Sequence, residues 1–271
     1  MIPCHVNGVR IGGDAPVRLM GVLNVSPESF CPSSYVPPAG VREAAFRMID
    51  EGADIVDIGG RATGPTSPSV SISAELERVC TALKELEGSG ITVSIDTFHT
   101  EVLKKALRYD IHVVNDISGL SSEGMGALIK DAGLPAILMA ADTLPGDAGD
   151  TEAVISSLGR VTERCARWGV REYVLDPGIG LWTPSRTIED NWELCRRFSA
   201  FMRFGRPLLA AVSRKTFIGA LVRRGVEGRV SGSLALALYL LQQGASMVRA
   251  HDVRETRDVI SVYEALDRRA N

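Results

Sequence analysis

The chain has 271 residues, a formal charge of −3 at pH 7 and 45% hydrophobic residues. That length allows one large α/β domain or two small ones, and that apolar content excludes a disordered chain. The near-balanced charge gives no reason to expect nucleic acid as a partner, although net charge leaves a local positive pocket open.

Strand-like and helix-like runs alternate along the whole sequence. A first strand is predicted over 19–25, a helix over 39–51, a strand over 54–58 and a helix over 71–86, opened by a capping-box-like S-I-S-A-E segment. Strands at 91–95, 111–114 and 134–139 alternate with helices at 100–109, 121–131 and 151–168. A strand at 171–175, a helix at 187–204, a strand at 207–212, a helix at 231–243, a strand at 246–250 and a helix at 253–268 complete the series. The strands are short, near-continuous apolar runs, as parallel strands buried on both faces should be. Eight strands, each followed by a helix, predict an α/β fold, a (β/α)8 TIM barrel filling 1–271 as a single domain. A doubly wound sheet fits the local pattern but needs two sheets or a very wide one. The Pro-rich stretches SPESFCPSSYVPPAG and RATGPTSPSV follow the first two strands and read as long βα loops, or as plain surface loops.

Five cysteines without a CxxC pair and four scattered histidines argue against structural zinc and for reduced thiols in a cytoplasmic protein. The first residues lack a basic-then-apolar signal pattern, and no run of eighteen apolar residues exists, so no membrane association is expected. No GxGxxG, GxxxxGK[ST] or GxSxG motif is present.

The predicted strand ends carry Asn24, Asp57, Asp96, Asn115 with Asp116, Asp176, Ser213 with Arg214 and Lys215, and Arg249 with His251 and Asp252. In a barrel those positions form the catalytic rim. Converging carboxylates suit a flat heterocycle rich in N–H donors, and Lys215, Arg249 and His251 suit an anion. Each has a plainer reading. Asp57 before Gly59 and Gly60 caps a turn, Asp96 caps the helix that follows, and Asp176 belongs to a Pro-Gly turn. Asp116 points away from Asn115 and holds a loop, His251 packs in the core, and SRKTF starts a helix with solvated basic residues.

Seven ordered segments, MGVLNVSPESF, GADIVDIGG, VSIDTF, VVNDISG, LDPGIG, SRKTFIG and VRAHDV, resemble those of the dihydropteroate synthases. The resemblance covers roughly 19–268. It implies a barrel that joins 6-hydroxymethyl-7,8-dihydropterin diphosphate to the arylamine para-aminobenzoate and releases diphosphate. Carried over, Asp96, Asn115, Asp176 and Lys215 contact the pterin, and Asn24 helps hold Mg2+ and the diphosphate. Arg249 and His251 bind the diphosphate anion. Thr63, Pro65, Ser213 and Lys215 lie near the acceptor, and Met139 counts among the substrate contacts. Asp96, Lys215, Arg249 and His251 are the implied catalytic set. Family members are usually homodimers through helices near the C-terminal part of the barrel.

Four departures bear on the acceptor side. The second loop, usually S-T-R-P, reads Ala62-Thr63-Gly64-Pro65, with Arg61 three residues before the missing arginine. Glu28 replaces the usual aspartate, Met139-Ala140 replaces Met-His, and Leu181-Trp182-Thr183-Pro184 follows the DPGIG turn where phenylalanine and lysine are common. Two accounts compete: a true synthase in which Arg61 or another basic group substitutes, and an archaeal-type enzyme that uses a ribosylated aminobenzene phosphate acceptor for methanopterin-type cofactors. A pterin-binding protein without catalysis and a pterin-dependent methyltransferase are further readings. Trp182 either stacks on a larger acceptor or fills core space.

Overall fold

The computed structural model describes residues 1–28, 34–64 and 67–267. A short antiparallel hairpin, β1 (Cys4–Val6) and β2 (Val9–Ile11), precedes the barrel. Then come β3 (Arg18–Asn24), α1 (Val41–Asp50), β4 (Ile55–Gly59), α2 (Ile72–Leu86), β5 (Val93–Asp96) and α3 (Thr100–Ala106). They are followed by β6 (Val113–Asp116), α4 (Met125–Ala132), β7 (Ala136–Met139), α5 (Thr151–Trp168), β8 (Tyr173–Asp176) and α6 (Ile188–Arg196). The last turn of the barrel holds β9 (Leu209–Ala210), α7 (Thr216–Val222), α8 (Val230–Gln242), β10 (Met247–Ala250) and α9 (Val253–Asp267).

Strands β3 to β10 form one parallel sheet of eight in the order β8-β7-β6-β5-β4-β3-β10-β9. A bridge between Leu175 and Leu208 joins its two edges, and the Leu175 N–H donates to the Pro207 carbonyl at 2.9 Å. The sheet is therefore closed, which rules out the doubly wound alternative.

Side-chain alternation along the strands builds the site from the bottom upward. Met20, Ile55, Val113, Ile137, Val174, Leu209 and Met247 pack together inside the barrel, and the hairpin seals them with Cys4, Val6 and Ile11. Two residues further along, the same inner face carries Asp57 on β4, Asn115 on β6, Met139 on β7, Asp176 on β8 and Arg249 on β10. An apolar floor thus lies beneath a polar upper layer. Asp116, one residue off this register, faces outward. Its carboxylate accepts the N–H groups of Ser118 (2.7 Å) and Leu120 (2.8 Å) and holds that loop.

Three local expectations need correction. The helix expected over 187–204 ends at Arg196 and continues as a 3-10 segment, Phe198–Phe204. Its start carries a true capping box between Thr187 and Asp190. Ser71 caps α2 by accepting the Ala74 N–H, but the neighbouring Glu75 turns inward instead of completing a box. SRKTF does open a helix, α7, which the sequence count of one helix per strand passed over.

Gly119 shows how tightly the loops pack. Its φ is +56°, and a Cβ there would sit 2.4 Å from the Met139 carbonyl oxygen, backbone that cannot yield. We expect Gly119→Ala to destabilise the fold by about 3 kcal/mol, from overpacking and the left-handed backbone together. Urea denaturation measures this as a lowered midpoint at unchanged slope.

Candidate active site

A cavity of about 270 Å³ opens at the C-terminal end of the barrel. Of the residues expected there, Thr63, Asp96, Asn115, Asp176, Lys215 and Arg249 line it. Asn24, Met139, Ser213 and His251 stand behind or beside the lining, and Pro65 lies outside the described residues.

Arg249 organises the inner rim. Its Nε donates to Asp57 Oδ2 at 2.6 Å and its Nη2 to Asp96 Oδ2 at 2.6 Å. Asp57 also accepts Asn115 Nδ2 at 3.0 Å. Asp57 is therefore no turn cap: fully buried, it orients one guanidinium and one amide. Because the Asn115 amide nitrogen is engaged, its oxygen is the atom offered to the cavity. Asp96 does not cap α3 either. Asp176 keeps its turn, since Oδ1 accepts the Gly178 N–H at 2.8 Å, while the rest of the carboxylate faces the cavity.

Burial sets the protonation of this rim. It pushes the Asp96 carboxyl up to about 7, with the charges of Asp57 and Glu75 adding to the rise and Arg249 and Lys215 opposing it. Burial raises the Asp176 carboxyl as well, against the Gly178 hydrogen bond and Lys215. The Lys215 ammonium is lowered to about 8 by burial, with Asp176 resisting. Burial, then the Arg249 charge, takes His251 down to about 3. At neutral pH His251 is thus an uncharged imidazole that pairs through Nδ1 with Ser213 Oγ at 3.0 Å. It offers hydrogen bonding to an anion, not charge.

The departures in sequence also find their places. Glu28 reaches Arg78 of α2 through both oxygens, each at 2.9 Å, and accepts Ser26 Oγ at 2.8 Å. Arg78 and Ser26 hold its carboxyl down at about 2. Arg61 does not supply the missing second-loop cation. Its Nε donates to Glu75 at 2.8 Å, its Nη2 bonds the Val70 carbonyl, and its guanidinium lies over Phe98. Trp182 forms a cavity wall: its Nε1 donates to the Gly178 carbonyl at 2.9 Å and its ring faces Lys215 Nζ at 5.0 Å. Gly146 and Gly180 make room for it, since a Cβ on either would meet the indole at 2.2 and 3.2 Å. Sequence reasoning weighed Trp182 but missed Ile117, Leu181, Ala211 and Thr216 as lining. Alternation from the barrel floor would have marked Ala211, two residues beyond Leu209.

Among the described residues, no group of three or more His, Cys, Asp or Glu side chains could hold a metal ion. The strand-end Asn24 donates its amide nitrogen to Ser34 Oγ at 2.8 Å, and a Cβ on Gly59 would have Asn24 Oδ1 at 3.6 Å and Asp96 Oδ2 at 3.7 Å. A single amide oxygen fits Mg2+, which takes few protein ligands and draws the rest from phosphate oxygens and water.

The family profile of pterin binding enzymes matches residues 20–251. The chain belongs to the family of pterin binding enzymes. The Escherichia coli (strain K12) dihydropteroate synthase is 34% identical over 259 residues, 92% of this chain and 91% of its own length. A Coxiella burnetii dihydropteroate synthase solved in complex with pteroic acid superposes with a TM-score of 0.87 at 28% identity, covering 98% of both chains. The Xanthomonas albilineans enzyme solved with 4-aminobenzoic acid gives 0.84 at 32% identity, again covering 98% of both. In this member of the dihydropteroate synthase family no helix among the described residues is long and apolar enough to cross a membrane.

Proposed function

We propose that the chain condenses 6-hydroxymethyl-7,8-dihydropterin diphosphate with para-aminobenzoate and releases diphosphate. The observation that carries this reading is the pair of acceptors on one wall of the cavity, Asp176 and the Asn115 oxygen, with Asp96 beside them. A pterin edge presents an exocyclic amine and ring N–H donors, which those two groups accept. Lys215 donates to the ring carbonyl.

Cleavage of the bond between the exocyclic methylene and the diphosphate oxygen leaves positive charge on the methylene, and the Asp96 carboxylate stabilises it. Arg249 orients that carboxylate and, through Nη1, has a donor left for the diphosphate. His251 adds a neutral donor. The arylamine nitrogen then attacks the methylene and loses its proton to solvent. When bound beside Asn24, Mg2+ would neutralise charge on the leaving diphosphate.

Product mass and released diphosphate, measured with each acceptor in turn, test the reading. A condensed product with para-aminobenzoate supports it, product only with the ribosylated phosphate moves it to the methanopterin branch, and pterin binding without any product overturns it in favour of binding or methyl transfer. We place the enzyme in the cytoplasm as a homodimer. Exposed apolar Leu221, Val222 and Tyr239 on α7 and α8 support the pairing, and sedimentation at twice the chain mass is the expected result.

A further inference from the structure

Glu75 is a fully buried carboxylate that touches neither the cavity nor solvent. It stands in the first turn of α2, where the helix dipole favours negative charge. Three donors converge on it. Thr97 Oγ1 donates to Oε1 at 2.6 Å, while Arg61 Nε and His99 Nδ1 each reach Oε2 at 2.8 Å. Gly60 permits this approach, because a Cβ there would lie 3.0 Å from the Glu75 carbonyl oxygen and 2.8 Å from Val79.

The donors come from separate pieces of the catalytic rim. Arg61 lies two residues after β4, and by also bonding the Val70 carbonyl it ties together both ends of the second βα loop. That loop supplies Thr63 and Gly64 to the cavity. Thr97 is the residue after Asp96, and its hydroxyl also accepts the His99 N–H at 3.2 Å. One carboxylate therefore anchors the acceptor-side loop and the strand end that carries Asp96. A lone buried carboxylate is strongly unfavourable, so this one persists only with its donors in place.

We propose that Glu75 is a positioning residue that fixes Asp96 and the second loop in one preset arrangement for the transfer reaction. The inference rests on the synthase reading for its kinetic consequences, but its structural consequence is independent of turnover. Asp96 faces Asp57 from β4, Arg249 from β10, Lys215 from the head of α7 and Glu75 from α2. Removing the Glu75 charge takes away one like charge and leaves Arg61 uncompensated. Both changes favour ionised Asp96 at lower pH.

Two variants separate the roles. Thr97→Val cuts the link to the Asp96 strand end together with the acceptor of the His99 N–H and leaves the Arg61 contact in place, while Glu75→Gln removes the charge at constant shape. We expect Thr97→Val to lower kcat about tenfold with KM for the pterin diphosphate changed less than about threefold, because a small misplacement of a reacting group is costly. Glu75→Gln should move the acid limb of kcat/KM to lower pH. Without substrate, amide exchange should quicken around Arg61 in Glu75→Gln and around Asp96 and Thr97 in both variants, while the rest of the barrel stays protected. A folded Glu75→Gln whose acid limb stays in place, or Thr97→Val with unchanged kcat and exchange, overturns the proposal. Should Glu75→Gln fail to fold, Thr97→Val decides alone. A wild-type protein without turnover overturns the synthase reading instead, and the exchange result then decides this one: quickening supports it and unchanged protection overturns it.

Discussion

Asp96→Asn is expected to lower kcat about 10³-fold while the affinity for the pterin diphosphate changes by less than about tenfold, the pattern of a group that acts mainly in the transition state. The substitution keeps the volume and one acceptor oxygen, so Arg249 retains a partner there and stays bonded to Asp57 as well. What disappears is the negative charge beside the methylene that becomes cationic. In a site shielded from water such a charge acts through a low dielectric and is worth far more than on the surface. The pH dependence follows with a definite sign. Burial holds the Asp96 carboxyl of the free protein at about 7, so protonation removes the active form and kcat/KM falls as pH drops through that value. In Asp96→Asn this acid limb vanishes. Steady-state kinetics across pH read both effects, and a variant that keeps kcat within threefold would remove Asp96 from the chemistry.

The legible part of this molecule was the part written as local pattern. Apolar runs of buried strand marked every barrel strand, and a polar residue at the end of every run but β7, which ends in Met139, marked the rim. The outward direction of Asp116 also followed from alternation with Asn115. What could not be read depends on closure of the barrel, which brings distant strands together. Asp57 looked like a turn cap because nothing near it in sequence pairs with it, while its partners Asn115 and Arg249 lie 58 and 192 residues away. Glu75 read as the acid of a capping-box-like segment at the start of its helix, because its partners Arg61, Thr97 and His99 come from other elements. The hairpin strands have three residues each and α7 only seven, too short for periodicity to separate them from loop. His251 was grouped with the cations by residue type, whereas its burial beside Arg249 keeps it neutral.

Asp176→Asn should weaken pterin binding by about 10²- to 10³-fold, or about 3–4 kcal/mol. The wild-type carboxylate accepts twice, from the Gly178 N–H through Oδ1 and from the ligand edge through its remaining oxygen. An amide cannot serve both. With its oxygen on Gly178, its NH2 confronts the ring donors; turned the other way, it serves the ring and leaves the Gly178 N–H facing an NH2 group. Either orientation sets buried donors against one another where water cannot reach. Asp116→Asn provides the matched control, because that carboxylate also accepts two backbone N–H groups but on the outer face of the barrel. It should lower the unfolding midpoint and leave pterin affinity within about twofold, since an unsatisfied buried donor costs the fold and not the ligand. Calorimetric titration with the pterin diphosphate, alongside urea denaturation of both variants, separates the two. Equal losses of affinity in both would mean that loop order, not the acceptor pair, governs recognition, and near-wild-type affinity in Asp176→Asn would remove the pterin edge from this wall of the cavity.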